Sequence, residues 1–497
     1  MGVFDWFRSK SIVVDNPAPK RRTFSAAQIG RLLGDFTTQN YSIDSDLRRA
    51  LKILKARSRD LSLNNPYAKK FDGTLRQNIV GPNGINLQVL SKSRTGKLDK
   101  LANKKVEKAW KRAGKRGHFD VTTKLSRSDA ERLFISTVST DGECLVKLIP
   151  GHGPSNYAVQ FLDTARLDPE LNHEAMGASP RIVMGVELDS NDAPIGYHIK
   201  VGRNPDDVFR FGRSQDLQRI PADQMIHGFI VNRTEQTRGI PWMHAAILEL
   251  QQIGGYRDAA LIAARIGAHK LGWFKGESGT PLGTGDDVDS DGTVIMDAEP
   301  GEFGQLTSDA ELISWDPPYP HEQFGAFVKA GLRGVASGLG VAYNTFANDL
   351  EGVSFGTQRS GTLDERDLYI AIQNWMIGSW SEPLYEEWLR FQLTTQVLPE
   401  FSGLALNQFE KLTDVHWQGR RWSWLDPHKD AQTRHLELKM NVNSEINIMR
   451  ELGRDPDQIL DERQLMAQML EERGLPPVNL DGVSVTQEES QSEQGQG

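Results

Sequence analysis

Apolar residues recur at helical spacing along much of the chain, and shorter alternating runs interrupt them between about residues 135 and 230. From Asp44, "DSDLRRALKILKARSRDL" opens on acidic residues and puts Leu47, Leu51 and Leu54 on one face, which predicts a helix. "NNPY" at 64–67 breaks it. A second helix is expected over 66–79, ending before "VGPNGINLQV", whose Gly-Pro-Asn-Gly turn leads into a strand, and two more near 98–113 and 127–138. "ISTVSTDGECLVKLI" reads as a hairpin about Asp141-Gly142, and "GVELDSNDAPIGYHIKV" as a second with Asn191-Asp192-Ala193-Pro194 at its turn. "MIHGFIV" adds a strand, so a mixed α+β domain is expected over 41–240, after an N-terminal arm at 1–40.

Residues 241–270 predict a long helix with Pro241 in its first turn, which at 1.5 Å per residue would span roughly 45 Å. Ala260, Ala264 and Ala268 form one i,i+4 row, and Ala259, Ala263 and Gly267 the next. Such a smooth face lets another helix approach closely, from the same domain or from a neighbouring subunit. A Gly-, Asp- and Pro-rich segment with short strands such as "GTVIM" and "AELISW" fills 271–319, and a returning helix covers about 320–339. A loop at 340–356 leads into a long helix over about 357–391, where Leu363, Ile370, Ile377 and Leu384 recur every seven residues and Pro383 forces a kink or stop. Short helices follow over 425–475, with Asp426-Pro427 and Asp455-Pro456 as starts and Gly453 and Gly474 as stops, before a polar low-complexity tail at 476–497.

Composition narrows the function classes. The net charge of −8 over 497 residues argues against a surface that grips nucleic acid throughout, although "PKRR" at 19–22 and the run from Lys97 to Arg116 are local basic patches. One cysteine, Cys144, excludes an intrachain disulfide. Nothing in the chain is an apolar run long enough to span a bilayer, so no membrane partner is expected.

Gly352-Val353-Ser354-Phe355-Gly356 satisfies the G-x-S-x-G pattern of a hydrolase nucleophile elbow, and His416, His428 and His435 follow in the expected order. An elbow needs a hydrophobic strand before the serine, whereas "NTFANDLEGV" puts Asn348, Asp349 and Glu351 there. "DVDSDG" places Asp287, Asp289, Asp291 and Gly292 as in a calcium loop, but Ala298 occupies the position that needs a bidentate glutamate, leaving a solvated acidic turn or a weak cation site. No P-loop or paired-cysteine zinc pattern occurs, so no cofactor is expected. "HWQGRRWSWLDP" interleaves Trp417, Trp422 and Trp424 with Arg420 and Arg421, which reads either as packing with cation–π contacts or as a surface that stacks on bases.

Several of these blocks, in their order, resemble the lambda family of tailed-bacteriophage portal proteins. They are "KARSRDLSLNNPYAKKFDGTLRQNIVGPNGINLQ", "IHGFIVNRTEQTRGIPWMHAAILELQQIGGYRDAAL", "EPGEFGQL" and "GLRGVASGLGVAYNTFANDLEGVSFGTQRS". The last matches the family's loop block at Asp349, Ser354, Phe355, Gly356, Thr357 and Arg359, with Phe355 for a more usual Tyr and Gly356 for a more usual Ser. The resemblance implies a non-enzymatic ring, usually of twelve subunits, at one capsid vertex of the virion, assembled in the host cytoplasm. Double-stranded DNA would pass through it. Its implied partners are the terminase large subunit, the head–tail connector, and the major capsid and scaffolding proteins. It also implies a wing at 41–240, stem helices at 241–270 and 320–339, a clip at 271–319, a tunnel loop at 340–356, a long helix and remaining wing at 357–424, and a crown at 425–475. Tyr343, Asn344, Asn348, Asp349, Glu351, Ser354 and Arg359 would then face the channel, and the Ala/Gly rows would pack the stem. A serine hydrolase using Ser354, and a capsid adaptor that conducts no DNA, are the alternatives.

Overall fold

The computed structural model describes residues 31, 37–177, 179–201, 217–268, 272–275, 311–314, 323–422, 427–454 and 456–475. The tail, the acidic turn at 287–291, "GTVIM", "EPGEFGQL", Trp424 and Asp455 lie outside them, as does all but Arg31 and 37–40 of the N-terminal arm. Helix and sheet are mixed. Helices α1 (Ile43–Asn64) and α2 (Pro66–Leu75) meet at Asn65, whose side chain accepts from the backbone N–H groups of Tyr67 and Ala68 and so starts the second helix as the first ends. A π-helical turn, Arg76–Val80, leads to β1 (Asn86–Val89), then α3 (Lys100–Ala113) and α4 (Arg127–Asp141). Next come β2 (Glu143–Pro150), β3 (Tyr157–Leu162), β4 (Arg181–Val183), β5 (Val186–Leu188), β6 (Pro194–Lys200), β7 (Leu217–Pro221) and β8 (Met225–Phe229). Helix α5 (Ile247–Ala268) precedes β9 (Gly272–Lys275) and β10 (Glu311–Ser314). The rest is α6 (Phe324–Leu339), α7 (Tyr343–Ala347), α8 (Phe355–Met376), α9 (Glu382–Thr395), α10 (Phe409–Leu412), β11 (Val415–Gln418), α11 (Pro427–Lys439), α12 (Glu445–Glu451) and α13 (Pro456–Glu472).

Among the described residues the strands form four antiparallel sheets, in the orders β3-β2-β8, β4-β5-β6-β7, β1-β11 and β10-β9. The expected turn at Asn191-Asp192-Ala193-Pro194 connects β5 to β6. The hairpin expected about Asp141-Gly142 does not form. Instead "ISTVST" continues α4, because Phe134, Ile135 and Val138 are buried at helical spacing and Ser126 and Asp129 close a capping box at its start. The β-branched residues yield to burial periodicity, and Gly142 at φ +87° ends the helix.

Gly142 is needed for a second reason. A Cβ there would lie 2.3 Å from the Ile240 carbonyl carbon, and one on Gly239 would lie 2.0 Å from the Gly142 oxygen. Two glycines therefore let the β2 start and the segment leading to α5 touch. Beside this contact the Glu143 carboxylate, fully buried, receives Lys55 of α1 (2.7 Å to Oε1), the Arg238 guanidinium (Nε 2.8 Å from Oε2), His227 of β8 (Nε2 3.0 Å from Oε2) and the Gly239 N–H (3.1 Å). Burial alone would raise this carboxyl, but the charges of Arg238 and Lys55 and the hydrogen bonds from Arg238 and His227 hold it well below the usual carboxylate range. Arg238 also donates to the carbonyls of Met184 (2.6 Å) and Leu167 (3.3 Å), which ties in the four-stranded sheet. Gln236 receives the N–H groups of Asn232 and Arg233 and donates to the Arg238 carbonyl at 2.7 Å.

This junction shifts the start of the long helix. Residues 241–246 form a turn in which the Pro241 carbonyl accepts from the His244 N–H at 3.0 Å, and α5 begins at Ile247 rather than at Pro241. The expected helix over 357–391 is not uniform. A π-helical turn at Ile377–Ser381 joins α8 to α9 with the backbone helical throughout, and Pro383 follows directly after this widened turn. The heptad row meets the core only toward its end: Leu363 is exposed, Ile370 and Ile377 are half-buried and Leu384 is buried, whereas on α8 the buried face is Glu365, Tyr369, Ile372, Gln373 and Met376. Gln373 explains part of that choice, since its Nε2 donates to the carbonyls of Asn78, Ile79 and Arg420 and joins α8 to the first π-helical turn.

Removing one partner of the Glu143 cluster leaves an uncompensated buried charge. Arg238→Met is expected to cost about 3–5 kcal/mol, read as a lower midpoint in urea unfolding followed by circular dichroism.

Candidate functional site

The first three turns of α5 and a glycine-rich stretch of α6 make the close helix pair of this fold. Glu249 lies beside Gly334, Ile253 beside Gly331, and Tyr256 stacks on Phe324 at 5.4 Å between ring centroids, so the two helices run antiparallel. A Cβ on Gly331 would meet the Ile253 side chain at 2.9 Å, and one on Gly334 the Glu249 carboxylate at 2.8 Å. The small residues that admit the partner helix here belong to α6. On α5, Ala260 is buried, Ala263 and Ala264 are half-buried and Ala259 is exposed, while Gly267 and Ala268 lie in its last turn. Leu248, Leu261, Ile262 and Phe327 stay exposed on this pair, at 69%, 52%, 56% and 60% respectively.

The chain between α6 and α8 is not an unstructured loop. Gly340, at φ +70°, ends α6, and Ala342 then starts the short helix α7. Glu365 of α8 reaches back to accept from the Ala342 N–H (2.8 Å) and from Thr345 Oγ1 (3.1 Å), satisfying groups that a helix start leaves open. Phe346 is buried and packs on Tyr67 of α2, 5.8 Å between centroids. Asn348, at φ +53°, ends α7 in the left-handed conformation that asparagine tolerates.

Asp349 then folds back. Its Oδ2 lies 2.7 Å from Lys329 Nζ on α6 and receives the Tyr343 hydroxyl at 2.7 Å, while its Oδ1 accepts the Glu351 N–H at 3.1 Å. Lys329 and Arg333 both lie over the Tyr343 ring, 5.9 and 5.4 Å from its centroid. The hydrogen bonds from Lys329 and Tyr343 lower the Asp349 carboxyl to about 2. Burial, followed by the bond to Asp349, pushes the Tyr343 phenol up to about 12. Of the residues singled out from sequence, Tyr343 and Asp349 are thus joined directly, with Asn344 on α7 and Asn348 at its end between them. Glu351 and Ser354 are exposed on the turn beyond, and Arg359, on α8, pairs with Asp430 of α11 at 3.6 Å. Lys329, Arg333 and Glu365 were not singled out, because nothing local in the sequence shows that they meet the loop.

Ser354 directly precedes α8, but residues 348–354 form a turn rather than the strand that a nucleophile elbow requires. Of the tryptophan-rich segment, Trp417 and Trp422 are packed. Trp417 lies in a cluster with Trp110 and Tyr385, and Trp422 donates to Asn78 Oδ1 at 3.0 Å beneath Arg366. Among the described residues no group of three or more His, Cys, Asp or Glu side chains could hold a metal ion, and no helix is long and apolar enough to cross a membrane.

The described residues thus make a mixed helix and sheet protein with an antiparallel helix pair and a pinned loop after it. Residues 29–373 match the family described as "Phage portal protein, lambda family". A "Probable portal protein" of Halomonas phage phiHAP-1 is 34% identical over 462 residues, which is 92% of this chain and 88% of that protein. The chain belongs to the lambda family of phage portal proteins and is a portal protein by that membership. Two solved structures are also similar, "Neck of empty GTA particle computed with C6 symmetry" and "Virion of native gene transfer agent (GTA) particle". Each is 13% identical with a TM-score of 0.42, covering 82% and 81% of this chain and 94% of the other, a likeness too weak to carry any argument.

Asp349→Asn removes the charge that holds Lys329 and Tyr343 together. Amide hydrogen exchange over 343–353 should rise severalfold while the global unfolding midpoint stays put. Because the Asp349 carboxyl is depressed, its contribution is present above the ordinary aspartate value and lost as pH falls through about 2. Protection of this loop, corrected for intrinsic rates, should therefore hold from neutral pH down to about pH 4.

Proposed function

We propose that this portal protein closes into a ring, of twelve subunits in the virion, at one vertex of the capsid, and that double-stranded DNA enters and leaves through its bore. The observation that carries this reading is the α5–α6 pair. Its exposed Leu248, Leu261, Ile262 and Phe327 are apolar surface that a monomer leaves in water, and a head-to-tail ring of copies would cover such a face. In this reading 41–240 is the wing, the segments at 241–270 and 320–339 are the stem, 271–319 is the clip and 425–475 is the crown. The terminase large subunit would dock during packaging and the head–tail connector afterwards, with the major capsid and scaffolding proteins around the rim.

Residues 340–356 form the tunnel loop. Its chemistry suits a conduit. Lys329 is paired with Asp349, and Arg333 rests on the Tyr343 ring, so the cations nearest the loop are already engaged. Fewer free cations mean fewer phosphate contacts to break as DNA advances. Tyr343, Asn344, Asn348 and Asp349 would touch the duplex sterically rather than hold it.

Negative-stain imaging of the full-length chain, with its particle mass, tests the ring. Particles with a central hole wide enough for a duplex, at about twelve times the chain mass in the virion assembly, are expected. A monomer or dimer at every concentration would favour the non-conducting adaptor. Deleting 344–351 should impair packaging while leaving rings intact, whereas Ser354→Ala should leave packaging unchanged. Esterase activity that disappears in Ser354→Ala would restore the hydrolase reading.

A further inference from the structure

We propose that a polar cavity beside the β1–β11 sheet is a phosphate-binding site. The cavity holds about 640 Å³ and lies between the residues leading into β1, those after β11, Leu452, Gly453 and Arg454 beyond α12, and the first turns of α13. Asn83, Asn86, Arg420, Arg421 and Arg454 line it, and among the described residues the wall carries a single carboxylate, Glu462.

The three arginines have different duties. Arg420 is structural. It donates to the Gln77 carbonyl and to Asn78 Oδ1, and its stem fills the space at Gly81, where a Cβ would come within 2.7 Å of Arg420 Cδ. Arg421 is uncommitted: its Nε is buried without a hydrogen-bond partner, and no described carboxylate lies within ion-pair distance of it or of Arg454. Further cations crowd behind the wall. Arg420 is depressed by burial and then by the Arg366 charge, and His416 by burial and then by Arg450 and Arg421. Arg450 has a buried, unpartnered Nε of its own. In a chain of net charge −8, so many guanidinium groups close together repel one another unless an anion lies between them.

Phosphate fits this donor set best. Guanidinium forks and side-chain amides offer many N–H groups in fixed directions, and a tetrahedral oxyanion has the acceptors to take several at once. Such a group can come from free inorganic phosphate or from the phosphodiester backbone of DNA. The cavity is built within one subunit, so the site goes beyond the ring reading and can stand or fall without it.

The test uses the full-length protein and the double variant Arg421→Gln/Arg454→Gln, which spares Arg420. Binding of inorganic phosphate is read by calorimetry, and binding of a short labelled duplex by fluorescence anisotropy across a salt series. Wild type should bind at least one of the two, and the variant should lose at least tenfold in affinity with its melting temperature and particle size unchanged. If the duplex is the ligand, the salt slope should fall by about 2; phosphate binding alone assigns the site to the free ion. A charge-matched variant at the exposed Lys115 and Arg181, Lys115→Gln/Arg181→Gln, should bind as wild type does. The proposal is overturned if wild type binds neither ligand, if the charge-matched variant loses as much, or if polyglutamate displaces the bound probe at lower concentration than phosphate does.

Discussion

Everything outward of the sheets hangs on one buried carboxylate. Glu143 opens β2, the central strand of its sheet, and gathers a lysine from α1, a histidine from β8 and an arginine from the segment that becomes α5. A charge taken out of water is tolerated only when its partners are fixed around it, so satisfying Glu143 fixes four separate parts of the chain at once. Arg238 extends the same constraint into the four-stranded sheet through the carbonyls of Met184 and Leu167. The contact between Gly142 and Gly239 removes any slack, because neither position has room for a side chain.

From this junction α5 leaves the domain in a set direction, and α6 returns along it with glycines facing the bulk of Ile253 and Glu249. The loop that follows is held on three sides. Phe346 enters the core, Glu365 holds the start of α7 from α8, and Asp349 ties its end to Lys329 on α6. The first two contacts are buried and structural, whereas the third sits near solvent and consists of charges that water and salt can screen. A loop built this way keeps its root fixed while its far end can yield.

The π-helical turns at Arg76–Val80 and Ile377–Ser381 play a quieter part. Gln373, a few residues before the second, bonds to carbonyls of the first, so the widened backbone of one helix is satisfied by a side chain of another. Arg420 and Trp422 converge on the same first turn at Asn78. The tryptophan- and arginine-rich segment therefore serves mainly to lock the C-terminal strand onto the N-terminal half, and Arg421 is left over beside the cavity.

The family could be read from ordered blocks of residues, and most helices from local periodicity, because Leu47, Leu51 and their like must share a face wherever the helix ends up. The second hairpin was equally legible, since Asn191 to Pro194 can do little but turn. The sequence alone left "ISTVST" open between the end of a helix and the start of a hairpin: its β-branched residues favour strand, and the burial of Phe134, Ile135 and Val138 against distant elements decides for the helix, which runs on to Asp141. Nor could heptad spacing reveal the true inner face of α8, which is set by Gln373 and Tyr369 meeting a turn some 300 residues earlier in the chain, 294 between Gln373 and Ile79. In the loop, Tyr343 and Asp349 were visible as candidates, but Lys329, Arg333 and Glu365 came from neighbouring helices that only the fold brings alongside. Local sequence determined which segments coil, turn or extend and which family they spell; the tertiary structure decided which charges meet, because ion pairs and close helix contacts depend on distances between residues far apart in the chain.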